Sequence, residues 1–232
     1  MGVWARLAAG AAALLAAMTA GVAAAATPAR PNVIVILADD LGYGDVGVYG
    51  AARIRTPHID RMAREGARLT SFFASANVCT PSRAGLMTGR YAARSGLAVG
   101  VIHAHSTYGL PESEITIPEM LRAAGYRTAM LGKWHLGSVA NYWPTNHGFE
   151  TFWGVPWSND MNPLPLYRGT EILEEPLVQE TFATRLVAEA RAVIEAPSDR
   201  PRLLRFSSRR WTGRRARSWR ASSGPERTGT RW

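Results

Sequence analysis

Cysteine is nearly absent from this chain: its 232 residues hold one, Cys79. That excludes a disulfide framework within the chain. Lysine is as scarce, with Lys133 alone among 27 basic residues in a chain that otherwise uses arginine. Long apolar runs are missing beyond the N-terminus, so no later segment could span a bilayer. No internal repeat occurs. Charge of one sign is also lacking over most of the length. Residues 1–196 are electrically balanced, and the whole net charge of +9 lies in the last 36 residues. The body of the chain is therefore no nucleic-acid binder by charge.

What is present reads as globular. Hydrophobic residues make up 47% and charged residues 19%, too apolar for a disordered chain. The length suits one ordinary domain with a real core. The N-terminus follows the three-part plan of a secretory signal: one arginine in "MGVWAR", an apolar stretch of small residues, then an Ala-x-Ala site ending at Ala26. Residues 1–26 are expected to be a signal peptide, and the product periplasmic or secreted. A membrane anchor is the alternative, disfavoured by the alanine-rich composition.

The C-terminus is odd. After Phe206 neither helical nor strand periodicity survives. Arginine, serine, glycine and tryptophan dominate, with three of the eight tryptophans. Disordered basic arms rarely carry so large an apolar load. Residues 201–232 are expected to be an aberrant arginine-rich tail, such as a frameshift would leave, with a failure between Arg200 and Arg209. A genuine basic arm is the alternative.

Between these ends, strands alternate with helices. "VIVIL" (Val33 to Leu37) reads as a strand buried on both faces. "TPHIDRMAREGARL" predicts a helix with Pro57 near its start and Ile59, Met62, Ala63 and Ala67 on one face. "RLTSFFASA" reads as a second strand that ends at Cys79. A helix follows, with Thr80 as its cap and Pro81 at its first position. A further helix ends at Gly125, before a strand over Arg127 to Leu131. "LVQETFATRLVAEARAVIEA" predicts an amphipathic helix with Phe182, Leu186, Val187, Ala190 and Ile194 inward. "RLLRF" reads as a degraded strand. The sum is an α/β fold with a mostly parallel sheet, whose ligands belong at the carboxyl ends of its strands.

Three loops at those ends carry chemistry. Asp39 and Asp40 follow the first strand; adjacent carboxylates repel unless a hard cation such as Ca²⁺ or Mg²⁺ offsets them. A polar turn is the simpler explanation of that pair alone. Cys79 precedes a helix whose N-terminus favours an anion, with Arg83 one turn on. A buried structural thiol is the alternative, but helix-capping residues crowd the position. In "GKWHLG", Lys133 is a compact, titratable point charge that arginine cannot replace, and His135 is a candidate acid–base group. A surface turn around Trp134 is the alternative. Together the loops supply a cation, a nucleophile precursor and anion clamps, a combination suited to hydrolysing a sulfate or phosphate ester.

"CTPSRAGLMTGR" resembles the type I sulfatase signature Cys-x-Pro-Ser-Arg-x-x-x-x-Thr-Gly-Arg. "PNVIVILADDLGYGD" and "GYRTAMLGKWHLG" look like that family's other N-terminal motifs, in the right order. "HGFETFWGVPWSNDMNP" is similar to a segment of arylsulfatase A-like and N-acetylgalactosamine-6-sulfatase-like members. The resemblance runs from about Pro31 to Ala196. It implies an alkaline-phosphatase-like sandwich, with residues 31–200 as the N-terminal part of a catalytic domain that is apparently truncated.

The resemblance also implies a use for the cysteine. A maturation enzyme that recognises Cys-x-Pro-Ser-Arg oxidises it to Cα-formylglycine. The aldehyde hydrate attacks sulfur through one hydroxyl, and its second hydroxyl later loses a proton as sulfate leaves. Carried over by position, Asp39, Asp40 and matured Cys79 would bind Ca²⁺. Arg83 would hold the hydrate, with Thr80 to Arg83 serving both as maturation tag and as pocket. His135 would orient or deprotonate the hydrate. Lys133 would contact the sulfate, and Ser158 the substrate. His103, His105 and His147 are left as loop residues. The implied partners are a small-molecule or glycan sulfate ester and the maturation enzyme, without nucleic acid or stable membrane insertion. Members of the family carry an Asp-Asn pair, a histidine and a second lysine further on. This chain has no His, Lys or Asn after Ala196, so it is expected to hydrolyse sulfate esters poorly. The alternatives are a phosphate or phosphonate ester hydrolase of the same superfamily and a non-catalytic anion-binding protein.

Overall fold

The computed structural model describes residues 30–208, together with Gly2. The expected signal peptide, Gly2 aside, and the tail beyond Ser208 lie outside them. The folded unit described below begins at Pro31.

Six strands form one sheet: β1 (Val33–Ala38), β2 (Arg127–Gly132), β3 (Thr151–Gly154), β4 (Leu166–Arg168), β5 (Glu171–Glu174) and β6 (Arg202–Ser208). Their order across the sheet is β1-β6-β2-β3-β4-β5. β1, β6, β2 and β3 run parallel. β4 and β5 turn back antiparallel. The "RLLRF" segment is thus no degraded remnant. It is a central strand, in register with β1 from Val33 opposite Leu203 to Ala38 opposite Ser208. The folded unit reaches past the expected boundary at residue 200 to the end of β6.

Alternation along the central strands builds a core on each face of the sheet. Leu203, Met130 and Phe152 point to one side, where they pack with Ala84, Met87, Trp134 and Phe149. Leu204, Leu131 and Trp153 point to the other, against Phe182, Leu186 and Ala190. The first cluster includes α2 (Cys79–Thr88). The second is covered by α4 (Gln179–Glu195), whose inward residues are those its 3.6-residue period predicts, with Val187 and Ile194 partly buried. Between them in the chain, α3 (Ile117–Ala123) opens with a capping box: Thr116 accepts from the Glu119 N–H, and the Glu119 carboxylate accepts from the Thr116 N–H.

Two expectations fail on the β1 side, and a third element forms without a fully buried residue. β1 is an edge strand among the described residues, with Ile34 and Ile36 each 37% exposed instead of buried on both faces. "RLTSFFASA" forms no strand, and Phe73 is 83% exposed. α1 (Pro57–Glu65) forms where predicted, but none of its residues is fully buried. β1 is covered on one face, where Val33 and Val35 pack against the core; "RLTSFFASA" has no strand partner among the described residues, and an apolar run becomes a strand where it is paired and buried.

Candidate active site

The site lies where β1, β2 and the start of α2 meet. β1 ends by delivering Asp39, which is buried, and Asp40, which is exposed and bends the chain at φ 57°. β2 ends at Gly132, whose φ of +89° turns the strand toward Lys133. A Cβ there would sit 2.0 Å from the Ser207 carbonyl oxygen of β6, so only glycine allows this approach. Beyond Gly132 the pairing with the β3 side continues. The N–H groups of Trp134 and His135 donate to the carbonyls of Val155 and Pro156, which carries Ser158 alongside.

Cys79 arrives differently from expectation. It ends no strand; it is the first residue of α2, after an extended Val78. Thr80 is not the cap, and Pro81 is the third helical residue. Cys79 still opens a helix, the end at which the free N–H groups and the dipole favour an anion.

These pieces converge on Asp39. Lys133 Nζ donates to Asp39 Oδ2 at 2.8 Å, and Arg83 Nη2 donates to Asp39 Oδ1 at 3.0 Å. Lys133 Nζ also reaches Cys79 Sγ and Ser158 Oγ, both at 3.1 Å, so all three ammonium protons have acceptors. Arg83 Nη1 donates to the Lys133 carbonyl at 2.7 Å, and its Nη2 also reaches Ser207 Oγ at 3.0 Å. Asp39, Arg83, Lys133, His135 and Ser158 are all buried, while Cys79 is partly accessible. Burial alone would raise the Asp39 pKa; the charges and hydrogen bonds of Arg83 and Lys133 outweigh it and hold the carboxyl below its usual value.

His135 is neutral in this setting. Burial, then the positive charges of Lys133 and Arg83, push its pKa down to about 3, against the Ile102 hydrogen bond. Its Nε2 lies 2.8 Å from the Ile102 carbonyl. A carbonyl only accepts, so Nε2 carries the proton and Nδ1 holds the lone pair. Nδ1 is buried and has no hydrogen-bond partner among the described residues.

The candidate cation ligands converge less well. Asp40 is exposed, and Asp39 already has an ion pair on each oxygen. No group of three or more His, Cys, Asp or Glu side chains gathers among the described residues. Two carboxylates fall short of the six to eight oxygens that Ca²⁺ takes. His103 and His105 stack on each other with centroids 6.0 Å apart, and His147 is buried against Trp134.

β6 adds two residues that the sequence reading missed. Ser207 helps to hold Arg83. Arg205 is wholly buried beside it, donating to Met130 Sδ and the Lys133 carbonyl, while its Nε and Nη2 find no partner among the described residues. Burial, with Arg83 nearby, pushes its pKa well below normal. The signal was alternation: once "RLLRFSS" is taken as a strand, Leu203, Arg205 and Ser207 share a face.

Comparisons with known proteins place the chain in a family. The Sulfatase family model matches residues 31–210. Steryl-sulfatase of Mus musculus is 48% identical over 165 residues, 63% of this chain and 26% of its own length. Arylsulfatase A of Homo sapiens is 47% identical over 152 residues, 65% of this chain and 29% of its own. Among solved structures, a protein of glycosaminoglycan metabolism from Bacteroides thetaiotaomicron aligns with a TM-score of 0.70 at 25% identity, covering 77% of this chain and 51% of its own. A sulfatase from Pseudoalteromonas sp. aligns with a TM-score of 0.63 at 31% identity, covering 77% of this chain and 43% of its own. The chain thus spans a quarter to a third of these two curated relatives and about half of the solved structures. With its mostly parallel sheet clad by helices in the alkaline-phosphatase-like manner, the chain belongs to the sulfatase family.

Proposed function

We propose that this chain carries the nucleophile half of a sulfuric ester hydrolase, with Cys79 matured to Cα-formylglycine. The observation that carries the reading is the buried contact of Lys133 Nζ with Cys79 Sγ, Asp39 and Ser158 at once. The matured group supplies an aldehyde hydrate, a nucleophile that can release its own sulfate ester. The chain's own residues would do the rest. Arg83, locked by Asp39, Ser207 and the Lys133 carbonyl, would hold the hydrate in place. Lys133 would exchange its contacts at Cys79 and Ser158 for the sulfate and the leaving oxygen, where its charge offsets the developing negative charge. His135, neutral and with its lone pair on Nδ1, is in the state a base must be in to take a proton. Ser158 would contact the substrate.

Asp39 and Asp40 would be two ligands of Ca²⁺, with the matured residue as a third. The rest of the shell would have to come from outside the described residues. The substrate class is a small-molecule or glycan sulfate ester, and the maturation enzyme is the implied partner. The N-terminal sequence supports a periplasmic or secreted location; no described helix is long and apolar enough to cross a membrane.

The test is mass spectrometry of the Cys79 peptide from the full chain made alongside a formylglycine-generating enzyme, with parallel turnover of p-nitrophenyl sulfate and p-nitrophenyl phosphate. Oxidation of Cys79 with any turnover favouring sulfate supports the reading. A persistent thiol, or turnover that favours phosphate, overturns it.

A further inference from the structure

Thr80, the variable position of the "CTPSR" segment, has an unexpected set of bonds. It sits in the first turn of α2, yet its hydroxyl does not cap that helix. Its Oγ1 donates to the His135 carbonyl at 3.0 Å and accepts from the Ile102 N–H at 3.0 Å. The Ile102 carbonyl in turn accepts from His135 Nε2 at 2.8 Å. Three residues from three separate segments thereby close a ring of hydrogen bonds: α2, the loop at Ile102, and the turn after β2. All three are at most 2% exposed. His135 is held at φ 63°, a left-handed conformation that a histidine adopts only when its surroundings impose it.

The chemistry of the ring is specific. A hydroxyl has one proton to give and lone pairs to accept with, and here both functions are used on buried backbone groups. Without the hydroxyl, the Ile102 N–H and the His135 carbonyl would each be buried without that partner. Thr80 thereby holds Ile102, whose carbonyl meets the His135 ring. That carbonyl determines which imidazole nitrogen carries the proton.

We propose that Thr80 is a positioning residue: through Ile102 it locks His135 in the tautomer that leaves Nδ1 free to accept a proton. The inference rests on the reading of His135 as the base of the proposed hydrolase. The "CTPSR" segment would then do two things, with Cys79 supplying the nucleophile and its neighbour Thr80 setting the base.

The experiment is nitrogen-15 NMR of the histidine rings and amide hydrogen exchange, on the full chain and its Thr80→Val and Thr80→Ser variants. Thr80→Val keeps the shape and removes the hydroxyl; Thr80→Ser keeps the hydroxyl. In the parent, His135 is expected in the Nε2–H tautomer with a protected Ile102 amide. Thr80→Val is expected to mix the two tautomers and to speed Ile102 exchange about tenfold, the equivalent of one buried hydrogen bond. Thr80→Ser is expected to keep both parental signatures. A merely structural role would lower the melting temperature of Thr80→Val and leave the tautomer unmoved, and that result overturns the proposal. So does a Thr80→Ser variant without the parental tautomer, which remains decisive if Thr80→Val does not fold. Mass spectrometry of Cys79 on the same samples separates any effect on maturation. If the tautomer shifts as expected while Cys79 cannot be matured, the lock stands and the sulfatase reading fails.

Discussion

The two sides of the sheet differ sharply, although their sequences have similar apolar content. On the β2–β3 side, Trp153 and Leu166 are buried against Phe182 and Leu186 of α4. On the β1 side, Ile34, Ile36, Leu69, Phe72 and Phe73 are exposed, and α1 buries nothing fully. The buried charge cluster lies between them, with Asp39 from one side and Lys133 from the other. An apolar run becomes a buried element only where a second surface meets it. That holds for "RLLRF" between two parallel partners and does not hold for "RLTSFFASA" with none among the described residues.

The strongest test of the comparison acts on the seam. Asp39→Asn removes the one carboxylate that pairs with both Arg83 and Lys133, leaving two buried cations without it. Breaking such a pair costs about 3–5 kcal/mol. Urea unfolding should show a loss of that order. A loss below about 1 kcal/mol would place the cluster in the weak, surface-like class of ion pair.

The packed side comes next. Leu186→Ala removes a fully buried side chain under the sheet and should cost about 2–5 kcal/mol by the same assay. Arg205 gives a contrast of opposite sign. It is buried with two donor nitrogens that have no partner among the described residues, next to the apolar Leu203 and Met130. Arg205→Leu should therefore stabilise the chain, by about 1–4 kcal/mol, the range seen when buried ionic groups give way to apolar ones. A destabilised Arg205→Leu would show that Arg205 has a partner that offsets its burial.

Much of this was legible in the sequence, and the failures share a cause. The 3.6-residue period of α4 and the strand from Arg127 are local signals, and both elements form; the segments carrying Asp39, Cys79 and Lys133 do meet. Which strand lies at an edge is not local. β1 reads as a buried strand because five apolar residues in a row carry no information about what lies beyond them. β6 was undervalued because Arg205 and Arg202 break its apolar run, although its alternation was intact. The Thr80 ring joins residues up to 55 positions apart, beyond any pattern of spacing.

The pH dependence follows from His135 and His147. Both are buried, and burial lowers both pKa values from 6.5, that of His135 to about 3. In the unfolded chain each takes a proton near pH 6.5, while the folded chain does not. Stability is therefore complete above pH 6.5 and falls as pH drops below it, for His135 down to about pH 3, by up to about 1.4 kcal/mol per pH unit for a single group. Melting temperatures between pH 7 and 5 should decline, and the decline should be shallower in His147→Phe. An unchanged slope in that variant would show that His147 is protonated in the folded state.

The smallest expected effect is on the unpacked side, and it sharpens the contrast most. Phe73 is almost fully solvent-exposed in a segment without regular structure. Phe73→Ser removes as large an apolar side chain as the packed side loses in Leu186→Ala, yet stability should change by no more than about 0.5 kcal/mol, as for surface substitutions generally. What should change is association. Phe72, Phe73 and Leu69 are exposed within five residues of sequence, and the β1 edge also exposes Ile34 and Ile36. Exposed apolar patches and open strand edges both favour self-association. Sedimentation should show less concentration-dependent association in Phe73→Ser than in the parent. If the variant instead unfolds as readily as Leu186→Ala, Phe73 is packed in solution and the two sides of the sheet are alike.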